Sequence, residues 1–424
     1  MRKTLTPTPL PEVEGLRQGM YKEYRLKDIT TKIGSGATPK GGHESYQEEG
    51  IPLIRSLNVY DDGFRTSGLA YLDDQQAKKL SNVTVQENDV LLNITGASVA
   101  RCCIVPSDLV PARVNQHVSI IRVKPELVDS KFLSILLTSK KYKDLLLHHG
   151  ESGSTRQAIT KLQLEEFVVC LPPLPEQTRI VAILDEAFAN ISQAVANAEK
   201  NLANARELFD SYLNEVFTRK GEGWEERSFT DICDITSKLV DPRKPENVNL
   251  PHIGAGNIVS NTGALIDVKT ALEEELISGK FLFDDTMILY SKIRPYLKKV
   301  CRPEFSGLCS ADVYPLTPNK AVLDKNFLFH MLLSDKFTKF AIMGSDRAGM
   351  PKVNRNHLFS YRCFLPNIKE QKYFADCIDE LAQKTQELED VYRRKLAALA
   401  ELKQALLQKA FTGELTVANH LHPQ

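Results

Sequence analysis

The sequence predicts an α/β (α+β) chain of two related globular domains separated by a pair of long antiparallel helices (a coiled coil), with a pseudo-twofold internal repeat. Three observations lead there: a heptad seam, its recurrence 194 residues later, and short apolar runs shared by the stretches preceding the two seams. The first seam runs from Leu171 to Phe217. Apolar or small residues fall at Leu184, Phe188, Ile191, Val195, Ala198, Leu202, Ala205, Phe209, Tyr212 and Val216, in alternating steps of four and three. That spacing makes a stripe along a helix that packs on another helix. Pro172, Pro173 and Pro175 punctuate its start, since proline fits a first turn and bars the preceding residue from helix. Glu176 sits near the positive end of the dipole. Arg219, Lys220 and Gly221 supply a cationic last turn and a stop. Such a helix is roughly 65 Å long at about 1.5 Å per residue. That exceeds what one compact domain needs, so it reads as a spacer.

The second seam repeats the first. LPNIKEQKYFADCIDELAQ from Leu365 answers LPPLPEQTRIVAILDEAFA from Leu171, and Phe411-Thr412 falls on Phe217-Thr218. Its apolar positions are Phe374, Ile378, Leu381, Leu388, Tyr392, Leu396, Leu399, Leu402 and Leu406. Asn367 and Glu370 have capping-box spacing. The predicted contact seam joins Leu184, Phe188, Ile191, Val195, Leu202 and Phe209 to Leu381, Leu388, Tyr392, Leu399 and Leu406.

Upstream of each seam the repeat continues. IPLIRSLNV at Ile51 answers LPHIGAGNI at Leu250, and ENDVLLNITG at Glu87 answers FDDTMILYSK at Phe283. VDSKFLSILLTS at Val128 answers LDKNFLFHMLLS at Leu323. The short apolar runs Val90–Ile94, Val118–Val123 and Met287–Tyr290 read as strands, and FLSILL and FLFHMLL as a helix. The expected order is therefore a tail (1–20), a domain (21–173), a helix (174–220), a related domain (221–366), a second helix (367–414) and a tail (415–424). Each globular part, with a diameter of roughly 40 Å, is too small to bridge a 65 Å rod. The second helix must then run back along the first. Two readers on a fixed ruler, with a symmetry that duplex DNA also offers, is the natural interpretation.

Composition narrows the classes. At 424 residues, with 42% hydrophobic and 25% charged content, the chain is a multi-domain soluble protein. No apolar run reaches the roughly 20 residues of a membrane span, and the start has no signal-peptide core. The eight cysteines contain no CxxC pair and read as reduced residues of a cytoplasmic protein. Formal net charge is zero, which argues against an indiscriminate polyanion binder. The two helices sum to −4, so the remainder carries +4. Six basic residues crowd between Lys280 and Arg302.

With the repeat, the PEQ- and KEQ-headed helices, PLPEQxxI…LD at Pro173 to Asp185, and KAFTGEL at Lys409 to Leu415, the chain resembles the specificity subunit of type I restriction–modification enzymes. The resemblance runs from Tyr24 to Leu415; the second copy departs from it with Lys369 where the first has Pro175. It implies two target-recognition domains, each reading half of a bipartite site in double-stranded DNA. It further implies helices that fix the gap and dock two methyltransferase (modification) subunits, with restriction (translocase/endonuclease) subunits joining through the complex. S-adenosylmethionine is then expected on the methyltransferase partner, with no cofactor on this chain.

Such domains present phosphate-binding cations and base-reading polar groups on loops. Candidates in the first are Thr38, Lys40, Arg55, Asn58, Arg101, Arg113, Asn115, Gln116, His117, Ser154, Thr155, Arg156 and Gln157. In the second they are Lys238, Arg243, Lys244, His252, Asn257, Lys292, Arg294, Tyr296, Lys298, Lys299, Arg347, Lys352 and Asn354. Asn58 and Asn257 occupy matching repeat positions, which equally marks a structural turn. Solvated loops and caps account for many of the others.

Catalytic signatures are missing. There is no GxxxxGK[ST] phosphate loop. Pro172-Pro173 lacks the preceding Asn or Asp with which amino-methyltransferases hold the target amine. His148-His149, His420 and His422 have no partners at metal-ligand spacing, and Asp267-Val268-Lys269 is half of a nuclease motif that arises by chance. The chain reads as non-catalytic. Two other classes fit the seam: a coiled-coil scaffold with ligand- or protein-binding end domains, and a DNA mimic. The net basic end domains argue against the mimic; the basic run and family motifs argue against the scaffold.

Overall fold

The computed structural model describes residues 21–39, 45–151, 158–345, 351–412 and 414–417. Two compact units divide the chain, the first formed by residues 1–196 with 396–424, the second by 197–395. Each unit therefore contains the beginning of one long helix and the end of the other. The central helix spans Leu174–Thr218 and the distal helix Ile368–Thr412, 45 residues apiece.

The first unit contains two four-stranded sheets. One has the order Ala70–Leu72, Ile51–Ile54, Ala112–Val114, Thr84–Val85; the other Thr30–Ser35, Val118–Val123, Val90–Asn93, Cys102–Ile104. The second unit repeats both orders. Lys269–Thr270, Pro251–Ile253, Gly307–Cys309 and Lys280–Phe283 match the first sheet, with Leu239–Val240 added at the edge; Cys233–Asp234, Val313–Pro318, Ile288–Ser291 and Val300–Cys301 match the second. Parallel pairing recurs at the same place, Leu53 opposite Arg113 and His252 opposite Leu308. Register corrects one detail of the repeat. Val118 lies opposite Asn93 and Val313 opposite Ser291, so this strand matches two residues further along than the apolar pattern indicates. A slip of two leaves every side chain on its original face, which is why hydrophobicity could not detect it.

Apolar helices cover the second sheets. Ser130–Thr138 and Lys325–Leu333 are capped by Asp129 and Asp324, whose carboxylates accept from the first-turn N–H groups. A pair of glutamines then ties each long helix to its domain. Gln177 accepts from the N–H of Asp129 and donates to the carbonyls of Leu127 and Pro172. Gln371 does the same with Asp324, Val322 and Pro366. Both are buried. This is the physical content of the PEQ and KEQ motifs.

The helices pair antiparallel within each unit. In the first, Ile180, Val181 and Leu184 share a core with Ala410, and Lys403 lies over the Phe188 ring. In the second, Leu213, Val216 and Phe217 share a core with Ala375 and Ile378. All the predicted seam positions of the central helix are buried or half-buried. On the distal helix Leu381, Tyr392, Leu399 and Leu406 hold their places, but Leu388 does not. Leu388 is 46% exposed, and the seam position belongs to Glu389, whose carboxylate takes a two-pronged bond from Arg206 at 2.7 and 3.1 Å. Leu402 is likewise on the outer face. Reading leucines alone misplaced the stripe, because a charged residue with its partner occupies the true heptad position.

Candidate nucleic-acid interface

Both units build their surface loops on one asparagine turn. Asn58 accepts from the Arg55 N–H and donates to the Arg65 and Ser67 carbonyls. Asn257 accepts from the Gly254 N–H and donates to the Ile266 and Asp267 carbonyls. Their amides are committed to backbone, so both asparagines hold loops. A second loop follows the strands Val90–Asn93 and Ile288–Ser291. It turns through left-handed backbone twice in each unit, at Gly96 and Ala100 (φ 75° and 65°) and at Arg294 and Lys298 (φ 50° and 47°). Glycine suits the first of these positions; arginine there carries steric cost.

In the first unit these loops border a cleft of 390 Å³ lined by Ser56, Leu57, Tyr60, Thr95, Arg101 and His117, together with residues 96–98. The Arg101 guanidinium lies 4.6 Å from the Tyr60 ring centroid, and Arg65 flanks the same ring at 5.2 Å. Arg65 is also paired with Asp62. Arg101 has no side-chain hydrogen-bond or ion-pair partner among the described residues. A polar chain runs beside it. The Thr38 hydroxyl donates to Gln116 Oε1, Gln116 Nε2 lies 3.0 Å from His117 Nε2, and His117 Nδ1 lies 2.5 Å from Thr95 Oγ.

The second unit keeps the frame and changes the groups. The strand N–H of Asn93 bonds the Arg101 carbonyl as that of Ser291 bonds Lys299, so Arg101 corresponds to Lys299; His117 corresponds to Asp312 in the same way. Lys299 Nζ donates to the Ala255 carbonyl at 2.5 Å. In the first unit the matching carbonyl, of Ser56, is satisfied by Asn93 at 2.8 Å, which leaves Arg101 uncaptured. Asp312 accepts from Lys352 at 2.9 Å and pairs with Lys292, which also lies over the Tyr314 ring. The Lys352 bond holds the Asp312 carboxyl below its ordinary range, while burial lowers Lys292. Arg294 and Tyr296 are exposed, and Arg294 has no side-chain partner among the described residues.

Several further candidates have partners within the protein. Arg113 donates to the carbonyls of Ala77 and Ala112, and Arg55 to that of Gly68, so both brace loops. Asn115 is buried and accepts from the His117 N–H. His252 is buried against Glu274. Lys298, predicted to touch phosphate, is held at 2.6 Å by Asp335, and Lys299 by a carbonyl. Asn354 is the N-cap of helix Arg355–Phe359. Arg243 is paired with Asp241, and Lys244 lies 4.0 Å from Glu246, both on the surface. Lys238 is exposed. Lys40, Ser154, Thr155, Arg156, Gln157 and Arg347 lie outside the described residues.

Buried thiols at Cys103, Cys301 and Cys363 are pushed up to about 12 by burial. Among the described residues no His, Cys, Asp and Glu group could hold a metal ion, and no helix is long and apolar enough to cross a membrane.

Comparison with known proteins agrees with this architecture. The family described as the type I restriction modification DNA specificity domain matches twice, over residues 19–200 and 221–396. The EcoDI type I restriction enzyme specificity subunit of Escherichia coli is 30% identical over 327 residues, covering 69% of this chain and 72% of its own. A chain from a structure of the assembly and conformational transition of a type I R-M system superposes with a TM-score of 0.73 at 19% identity, covering 96% and 100% of the two chains. The HsdS subunit of Thermoanaerobacter tengcongensis gives 0.62 at 19% identity, covering 96% and 99%.

Proposed function

Because the chain belongs to the family of type I restriction–modification DNA specificity subunits, we propose that each unit reads one half of a bipartite site in double-stranded DNA. The helix pair sets the gap between the halves and docks two methyltransferase subunits. Restriction subunits join through that complex. The observation that carries this reading is the shared loop frame with exchanged side chains: Arg101 and His117 in one unit, Lys299 and Asp312 in the other. A scaffold has no need to vary the chemistry of one repeated loop frame, whereas a reader of two different half-sites does.

The chain itself acts without catalysis, in the cytoplasm, and S-adenosylmethionine belongs to the methyltransferase partner. Exposed Leu208, Leu388 and Val391 on the long helices supply an apolar docking face outside the seam. The test is to co-express the chain with its methyltransferase and map methylated DNA. Two defined half-sites around an unread gap are expected. Four residues inserted after Ala198 add about 6 Å of helix, so the gap should lengthen by one or two base pairs at about 3.4 Å each. Changed half-sites at an unchanged gap would refute the ruler.

A further inference from the structure

Resting on that reading, we infer that the cleft of the first unit selects a guanine, with Arg101 as its principal reading group and Thr95 as its second. The polar chain beside the cleft has a direction. Gln116 Oε1 can only accept, so Thr38 donates to it, which places the Gln116 amino group against His117 Nε2. That nitrogen must accept. The neutral ring then carries its proton on Nδ1 and donates it to Thr95 Oγ, 2.5 Å away. With its oxygen accepting from His117, the Thr95 hydroxyl has its own hydrogen left to donate.

Arg101 adds the fork. Its guanidinium is stacked on Tyr60 at 4.6 Å, which orients the plane. The Ser56 carbonyl, whose counterpart in the second unit takes Lys299, is already bonded by Asn93. Arg101 thus offers a ligand donors only, and the Thr95 hydroxyl can add one more. On the major-groove edges of the bases only guanine presents two acceptors, O6 and N7. Adenine pairs its acceptor with a donor, thymine pairs its acceptor with a methyl group, and cytosine offers a donor. The Arg101 fork, with the Thr95 hydroxyl able to donate beside it, fits guanine and mismatches the rest.

The test uses the full chain in complex with its methyltransferase, acting on a randomised DNA library read by methylation mapping. Arg101→Ala and Arg101→Lys should each relax one guanine of one half-site, lowering discrimination there roughly 10- to 100-fold. Lysine keeps the charge without the fork, so its failure to rescue separates reading from phosphate attraction. Thr95→Val should loosen the same or the adjacent position by a smaller factor. The other half-site stays unchanged and reports that each variant folds and assembles. A uniform fall across all sequences, or relaxation at a base other than guanine, overturns the inference, as does an unaltered half-site in Arg101→Ala. Methylation without sequence preference by the unaltered complex overturns the specificity reading itself, and this inference with it.

Discussion

The two units share a set of side-chain bonds to backbone and differ in the side chains of their loops. Asn58 and Asn257 close the same turn, Asp129 and Asp324 cap the same helix, and Gln177 and Gln371 make the same three bonds. At the cleft, Tyr60, Thr95, Arg101 and His117 in one unit stand where Val259, Ile293, Lys299 and Asp312 stand in the other. Groups bonded to backbone carry the fold, and groups released from backbone carry the difference. Arg101 is available because Asn93 satisfies the Ser56 carbonyl; Lys299 is held because it satisfies the Ala255 carbonyl itself.

The largest effects should come from the shared glutamines. Gln177→Ala and Gln371→Ala each strand one buried N–H and two carbonyls, which costs about 3 kcal/mol. Urea unfolding of each variant should show similar losses. A loss confined to one of them would break the equivalence of the two units.

Where the helix roots differ, so should their response to acid. In the second unit Asp379 accepts from Arg302 at 2.8 and 2.6 Å and from His330 at 2.9 Å. Among the described residues the first unit has there the exposed pair Lys131–Asp185. Removing a buried partner costs about 3–5 kcal/mol; with the Asp379 and Arg302 side chains 31% exposed, about 2 kcal/mol is expected for Asp379→Ala. Asp185→Ala should cost under about 1 kcal/mol. Burial works to raise Asp379, but the His330 and Arg302 bonds and charges hold it well below the carboxylate range. Burial lowers His330 despite Asp379. Both folded values are depressed, so both contributions are full above the unfolded values and are lost as pH falls. The loss begins near about pH 6.5 through His330 and continues below about pH 4 through Asp379. Trp224, the only tryptophan, packs on Phe374 in this unit and reports the change by fluorescence. An acid transition that Asp379→Ala leaves unmoved would remove this cluster from the account.

The left-handed loop position sharpens the contrast further. Arg294 occupies backbone that costs a non-glycine residue about 1–2 kcal/mol, where the first unit has Gly96. Arg294→Gly relieves that cost but adds unfolded-chain freedom worth about 0.5–1 kcal/mol. A net gain of about 0.5–1 kcal/mol in unfolding free energy is expected, together with weaker DNA binding by the second half-site. Retained strain at an exposed, unpartnered arginine points to function, so undiminished binding by this variant would contradict its role.

Periodicity and family motifs made the repeat, both long helices, the strand runs and the Asn367–Glu370 cap legible, because each depends on local spacing. The Asp129 and Asp324 caps were not read, and the central helix ends at Thr218 with no basic residue in its last turn. The cleft was half legible. Arg101, Gln116 and His117 could be named from type and loop context, but nothing linear distinguishes Arg101 from Arg113, whose guanidinium braces two carbonyls. Tyr60 and Thr95 were missed, since an aromatic platform and a hydroxyl have no sequence signature without their neighbours. The charge density around Lys298 and Lys299 can be read from sequence; the ion pair of Lys298 with Asp335 and the bond of Lys299 to the Ala255 carbonyl cannot.

The smallest effect on stability tests the outer face of the helices. Leu388 in the second unit and Leu402 in the first are 46% and 47% exposed. Exposed substitutions shift stability by less than about 0.5 kcal/mol, so Leu388→Ser and Leu402→Ser should leave the urea midpoint where it is. Half-buried Leu381→Ser should move it by more than about 1 kcal/mol. A midpoint shift for Leu388→Ser as large as that for Leu381→Ser would return Leu388 to the seam and displace Glu389 from it. Stability and assembly should then separate. Leu388 shares the second unit with exposed Leu208 and Val391, so a charge there tests the proposed docking face without disturbing the fold. Leu388→Glu should therefore cut co-purification of the methyltransferase several-fold while the chain stays folded, and full retention of the partner would move the docking face elsewhere on the helices.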